Sequence, residues 1–279
     1  MRSFIFNVLF YSTTAVFAIF CVLLSLIPGR KAMMFGLLAY TNTIKFFMRS
    51  IAGIKVSVSG HEHIPSEGAV IIAAKHQSYG DGIVMFSEFF DLSFVTGDHL
   101  EKFYTLKHIL AKMNAVVVDN CGGEDARNRM SETSQLVREQ GRRILIYPEG
   151  HLSEIGTQHR YRKGVYHLYV DFGCPVVPAA TNLGQRWNQN DWKKFPGKAA
   201  IEFLEPIMPG LSKDEFMRVL EDRIESRSKA MLDLDDLGAL NPDNIGKLTE
   251  NHVAKAKREK REAEEAANAS ADKAVKEKS

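Results

Sequence analysis

The chain is predicted to be an α/β protein, with a mostly parallel central sheet flanked by helices and preceded by an N-terminal membrane-associated helix pair. Three observations predict it. Residues 3–29 carry no charged side chain. From about residue 54 short apolar runs alternate with stretches of helical spacing, the rhythm of helices laid on a sheet. Some of those runs are unbroken, as in strands covered on both faces. The implied division is a membrane-anchoring helix pair over 1–53, an α/β domain over 54–241 and a charged tail over 242–279.

The first element is the apolar run 4–27. As a helix at ~1.5 Å per residue it extends about 36 Å, enough to enter or cross a hydrocarbon layer of ~30 Å. A secretory signal has an apolar part of only about 7–15 residues and a small-residue cleavage site. This run is longer and ends Leu26-Ile27-Pro28-Gly29, so a retained anchor is expected. A second apolar stretch, 32–54, carries Lys45 and Arg49 near its end; their long stems can snorkel from a helix lying against the membrane. Two buried helices of a soluble fold are the alternative. Arg30, Lys31, Lys45 and Arg49 outnumber Arg2 and the amino terminus. The positive-inside tendency then puts the remainder on the cytoplasmic side of an inner membrane.

Strands are expected at 55–59, 69–74, 92–96, 115–118, 143–147, 175–181 and 199–204. Ala126, Met130, Thr133 and Val137 repeat at helical spacing, as do Phe216, Val219, Leu220 and Ile224. Residues 254–279 are nearly all Lys, Arg, Glu and Ala and cannot bury a core, so a solvated helix or disordered tail is expected there.

Composition narrows the function. A net charge of +2 from 36 basic and 34 acidic residues offers no basic stripe for nucleic acid. Cys21, Cys121 and Cys174 form no CxxC pair and are odd in number, which speaks against a disulfide framework. His61-Glu62-His63 could suggest a metal, but further ligands at matching spacing are lacking, and a solvated turn is the simpler reading. Trp187 and Trp192 flank Asn188-Gln189-Asn190-Asp191 in an expected exposed loop, touching lipid or covering the sheet edge.

The strongest chemical candidate is Lys75-His76-Gln77-Ser78-Tyr79-Gly80-Asp81, directly after a buried strand and before a helix expected to start near Asp81. Sites in such sheets form beyond the carboxyl ends of strands. Asp81 can fold back to accept a hydrogen bond from one ring nitrogen of His76, leaving the other as a base. Ser78 lies in no G-x-S-x-G elbow. A His–Asp pair without its own nucleophile suits direct attack by a substrate hydroxyl. H-x-x-x-x-D alone is weak, since a His capping a helix satisfies it too. Its company strengthens it: Tyr147-Pro148-Glu149-Gly150 turns the chain at a second strand end, and Cys174-Pro-Val-Val-Pro178-Ala-Ala180 forms a third strand.

In these blocks the chain resembles the glycerophospholipid acyltransferase family. The family's ordered blocks are HxxxxD, an apolar strand ending near I-D-R, F-P-E-G-T-R-S and V-P-V-V-P-V. Here they correspond to residues 76–81, 115–120, 147–153 and 174–180, and the likeness covers roughly 50–235. It implies acyl transfer from acyl-CoA or acyl-carrier protein to the free hydroxyl of a lysophospholipid, foremost 1-acyl-sn-glycerol-3-phosphate, giving phosphatidic acid. Another lysolipid acceptor, such as a lyso-ornithine lipid, or a catalytically silent lipid-binding membrane protein are the alternatives. His76 and Asp81 would be catalytic, and Glu149 and Gly150 would match the acceptor-binding turn. No metal or organic cofactor is implied; the partners are the thioester donor, the lysolipid and membrane lipid. Three departures stand out: Asn120 for Arg, His151-Leu152 for Thr-Arg, and Gly97 for a common Lys. Arg160, Arg162 and Lys163 are candidates to restore the lost charge, or form an ordinary basic rim.

Overall fold

Strand β2 (Val70–Ala74) is buried at all five positions, and the other strands are arranged about it. In this computed structural model, which describes residues 1–97, 100, 102, 104–118, 124–189 and 191–249, β2 lies in parallel between β5 (Arg143–Ile146) and β6 (Val176–Thr181). With β1 (Ile54–Ser59), β3 (Ser93–Gly97), β4 (Val116–Val118) and β7 (Gly197–Phe203) they form a seven-stranded sheet, ordered β1-β7-β6-β2-β5-β3-β4. Only the β6–β7 pairing is antiparallel. Each expected strand is present, with ends moved by a residue or two.

Successive residues of a strand point to opposite faces, and β2 divides its side chains accordingly. Val70, Ile72 and Ala74 join a core with Ile83 and Val84 of α3 (Tyr79–Glu88). Ile71 and Ala73 join a second core with Val137 of α5 (Glu124–Glu139), Leu168 and Phe172 of α6 (Gly164–Phe172) and Leu220 and Ile224 of α7 (Lys213–Ala230). Fully burying each such Leu or Ile contributes about 1.5–3 kcal/mol, so two-sided burial is what centres β2. Helix α6 and helix α4 (Tyr104–Met113) add two elements to those the periodicity predicts.

The N-terminal pair is α1 (Arg2–Ser25) and α2 (Lys31–Phe47), the latter running into a π-turn, Met48–Ala52, that Gly53 closes at φ 75°. Phe6, Ile44, Met48 and Ala52 belong to the same core as β2, so this pair packs onto the sheet domain. Helix α1 is long and apolar enough to cross a membrane, yet one face is docked along its length. Asn7 Nδ2 donates to the Trp192 carbonyl at 2.8 Å and Ser3 Oγ to that of Lys194 at 3.3 Å; near its far end Cys21 packs with Met33, Met34 and Met113. The outer face exposes Phe4, Val8, Val16, Ile19 and Leu23, each at least half accessible.

The two tryptophans correct one expectation. Trp192 is exposed and stacks on Tyr11, but Trp187 is only 2% exposed, edge-on to Phe6 and Phe10 at 5.0 and 5.1 Å. Its loop is the seat of α1, and the helix covers it. Cys21 and Cys174 are buried and free; Cys121 and Asn120 lie outside the described residues, as does the charged stretch 254–279. Residues 61–63 form an exposed 3-10 turn, and no metal-binding group occurs among the described residues.

Candidate active site

The register of β2 and β5, with Ala73 opposite Ile146, delivers the residues after both strands to one carboxyl edge of the sheet. His76 and the Tyr147–Gly150 turn therefore meet. Ser78 caps α3: its Oγ accepts from Gly80 N at 3.0 Å, while Asp81 reaches back in a capping box, an arrangement that satisfies helix N–H groups otherwise left without partners. Asp81 Oδ2 accepts from the backbone N–H of Gln77 at 2.7 Å and of Ser78 at 2.8 Å. It also lies 3.3 Å from His76 Nδ1, at the long end for a hydrogen bond. A carboxylate only accepts, so Nδ1 is the nitrogen that donates to it, and in the neutral ring Nε2 keeps its lone pair.

The ring itself is stacked on Tyr147, centroids 3.8 Å apart and planes 13° from parallel, and its side chain remains 20% exposed. Burial, reinforced by the charge of Asp81, holds the Tyr147 phenol well above its ordinary pKa.

Glu149 departs from the expected substrate contact. It is 1% exposed and turned inward. Oε1 accepts the His76 backbone N–H at 3.0 Å, and Oε2 faces Lys75 Nζ at 3.2 Å. Ser153 holds the other side of the same residue, its N–H and Oγ both donating to the His76 carbonyl, at 2.7 and 2.9 Å. Block three thus grips the His76 backbone from both sides, a role that residues 73 and 77 positions away in sequence do not announce.

Gly150 adopts φ +70°, in the left-handed region that favours glycine. The Arg162 side chain lies directly over it, so that a Cβ there would collide with the guanidinium; the Arg162 N–H donates to the Pro148 carbonyl at 2.8 Å. Of the three basic candidates, Arg162 is the one brought onto the turn. Arg160 is exposed and electrostatically close to Glu221 of α7, and exposed Lys163 sits at the start of α6.

His151 and Leu152 occupy the places of the family's Thr and Arg. His151 Nδ1 faces the Glu149 carbonyl at 2.9 Å and must donate to it, which leaves Nε2 to accept from His159 Nδ1 at 3.2 Å. His159 Nε2 in turn accepts from the Thr249 hydroxyl at 2.8 Å. In the neutral pair every ring nitrogen has a partner. Burial, with the neighbouring His151, lowers the His159 pKa to about 4, and burial also lowers that of His151.

Neither serine of the site is free to attack. Ser78 and Ser153 are fully buried and committed to the cap and to the His76 carbonyl. A model of the Acyltransferase family matches residues 55–182, which hold this whole cluster. Over this segment the chain is similar to the glycerophospholipid acyltransferases. Its 55–182 segment is an O-acyltransferase domain. Among the family's curated members, the chain is 28% identical over 176 residues to a 1-acyl-sn-glycerol-3-phosphate acyltransferase of Pseudomonas aeruginosa, covering 63% of this chain and 68% of that one. It is 27% identical over 168 residues to the alpha form of Mus musculus, covering 58% and 59%. Its fold is similar to the crystal structure of the 1-acyl-sn-glycerophosphate acyltransferase from Thermotoga maritima, with a TM-score of 0.67, 20% identity and coverage of 82% of this chain and 97% of that one.

Proposed function

We propose that this acyltransferase moves a fatty acyl group from acyl-CoA or acyl-carrier protein to the free hydroxyl of 1-acyl-sn-glycerol-3-phosphate, giving phosphatidic acid. The observation that carries the reading is the His76–Asp81 pair, with its imidazole partly exposed and its neighbouring serines unable to act as nucleophiles. His76 Nε2 takes the proton of the lysolipid hydroxyl as its oxygen attacks the thioester carbonyl carbon. The tetrahedral intermediate collapses, the C–S bond breaks, and the imidazolium returns its proton to the departing thiolate. Asp81 stabilises the imidazolium between these steps. General-base help of this kind is worth ~10²–10⁴ in rate.

Arg162, lying over Gly150, is the side chain we assign to the acceptor phosphate, because a guanidinium can pair with two phosphate oxygens at once. The membrane supplies the acceptor. The apolar outer face of α1 enters lipid, while its inner face rests on Trp187, which packs over Gly80 at the start of α3. That seat keeps the catalytic edge beside the lipid surface, on the cytoplasmic side by the charge bias of Arg30, Lys31, Lys45 and Arg49.

A second reading, another lysolipid head group, is favoured by one observation: the turn carries neutral His151 and Leu152 where the family has a cation. Radiolabelled acyl-CoA offered with a panel of lysolipids separates the two. Transfer should be fastest to lysophosphatidic acid, and His76→Ala should lower it by ~10²–10⁴ while leaving membrane binding intact. Turnover retained in His76→Ala would remove the base assignment. Preference for a lysolipid without a phosphate monoester would replace the acceptor.

A further inference from the structure

We propose that Lys75 and Glu225 are positioning residues for His76, acting through Glu149; the inference rests on the reading of His76 as the base. Lys75 is 1% exposed and precedes His76 directly. Its ammonium has three donors, and each has an acceptor: Glu225 at 2.7 Å, Glu149 at 3.2 Å and the Thr157 carbonyl at 3.2 Å. Burial opposes its charge, but the two carboxylates outweigh burial and raise the Lys75 pKa. Glu225 is 6% exposed and held a second time by the Tyr161 hydroxyl at 2.8 Å. Burial pushes its carboxyl above the ordinary range, with Lys75 opposing.

A continuous chain of buried polar contacts therefore runs through Glu225 of α7 to His76: Tyr161 to Glu225, Glu225 to Lys75, Lys75 to Glu149, and Glu149 to the His76 N–H. Each link constrains the next because a charge buried without its partner is strongly disfavoured. Two carboxylates share one ammonium. If Glu225 loses its charge, Lys75 is drawn to Glu149 alone, and the Glu149 carboxylate is pulled away from the His76 N–H. The imidazole then loses the backbone clamp that aims Nε2, and small errors of aim are costly in rate. Glu225 lies beyond residues 55–182, so α7 contributes to the site from outside the matched segment.

The test uses the full chain in detergent micelles with acyl-CoA and lysophosphatidic acid, comparing Glu225→Gln, Glu225→Asp and Tyr161→Phe. Glu225→Gln should lower kcat about tenfold or more with acceptor KM within about twofold, the pattern of a lost transition-state contribution. Glu225→Asp keeps the charge and should stay within about threefold of wild type; Tyr161→Phe, which removes one hydrogen bond, should cost about threefold in kcat. The His76 Cε1–H NMR signal, assigned by its loss in His76→Gln, should shift in Glu225→Gln and Tyr161→Phe. If Glu225→Gln does not fold, Tyr161→Phe decides by the same two readouts. Unchanged kcat with an unmoved His76 signal and a lowered Tm would mean an ion pair that only stabilises, and would overturn the proposal. Wild-type inactivity toward lysophosphatidic acid would sink the acceptor assignment instead, and the His76 signal would still decide the relay.

Discussion

His76 and His151 sit on neighbouring turns of one sheet edge, yet they are wired in opposite ways. His76 gives Nδ1–H to a carboxylate, and its side chain remains 20% exposed. His151 gives Nδ1–H to a carbonyl and spends Nε2 on His159. In the first arrangement the ring lies beside Asp81 and against the face of Tyr147. The second disfavours a further proton, because a proton on His151 Nε2 would confront the His159 N–H. What separates the two imidazoles here is the partner of each nitrogen, with residue type and location held nearly constant.

Breaking the first wiring should have the largest effect. Asp81→Asn leaves the Ser78 cap in place and keeps a side-chain oxygen able to accept the Ser78 N–H of the capping box, and it removes the charge behind the imidazole. Its kcat should fall about 10²-fold or more with the Tm little changed, as steady-state kinetics and thermal melts would register. A rate within about threefold of wild type would mean that Asp81 serves the cap alone.

Arg162 sharpens the comparison from the acceptor side. Arg162→Ala should raise the KM for lysophosphatidic acid about tenfold and leave that of acyl-CoA within about twofold, because the lost pairing is with the phosphate. Equal changes in both constants would assign Arg162 to the basic rim.

The second wiring should appear in stability rather than in rate. His159 titrates near 4 in the folded chain against ~6.5 unfolded, so the folded state binds fewer protons between these values. Its contribution is complete above pH ~6.5 and is lost as the pH falls toward 4, amounting to as much as about 3 kcal/mol. Thermal melts between pH 7 and 4 should therefore show a steeper loss for wild type than for His159→Asn. Parallel curves would mean that His159 is already free to charge.

Periodicity made the framework legible: burial on two faces leaves unbroken runs such as 70–74, and burial on one face leaves spaced ones, so each strand could be read from its own residues. His76 and Asp81 were legible for a similar reason, being five positions apart across a single cap. The clamp was not. Glu149 reads as a turn residue at a strand end, and only the register of β2 with β5 turns it inward to the His76 N–H. Glu225 reads as one more acid of a charged helix, and its partner Lys75 is 150 positions away. The loop of Trp187 reads as exposed because the cover of that side chain, Phe6 and Phe10, comes from the opposite end of the chain. Local spacing reports which face is buried, whereas pairing between distant polar groups depends on topology.

The wiring of His76 can be measured without any substrate. Nitrogen-15 NMR of the full chain in detergent, labelled at histidine and compared with His76→Gln, reports which ring nitrogen carries the proton. At a pH where the ring is neutral, the account predicts a protonated Nδ1 and a bare Nε2 at His76. A proton on Nε2 with Nδ1 bare would contradict it, since no lone pair would then face the acceptor hydroxyl.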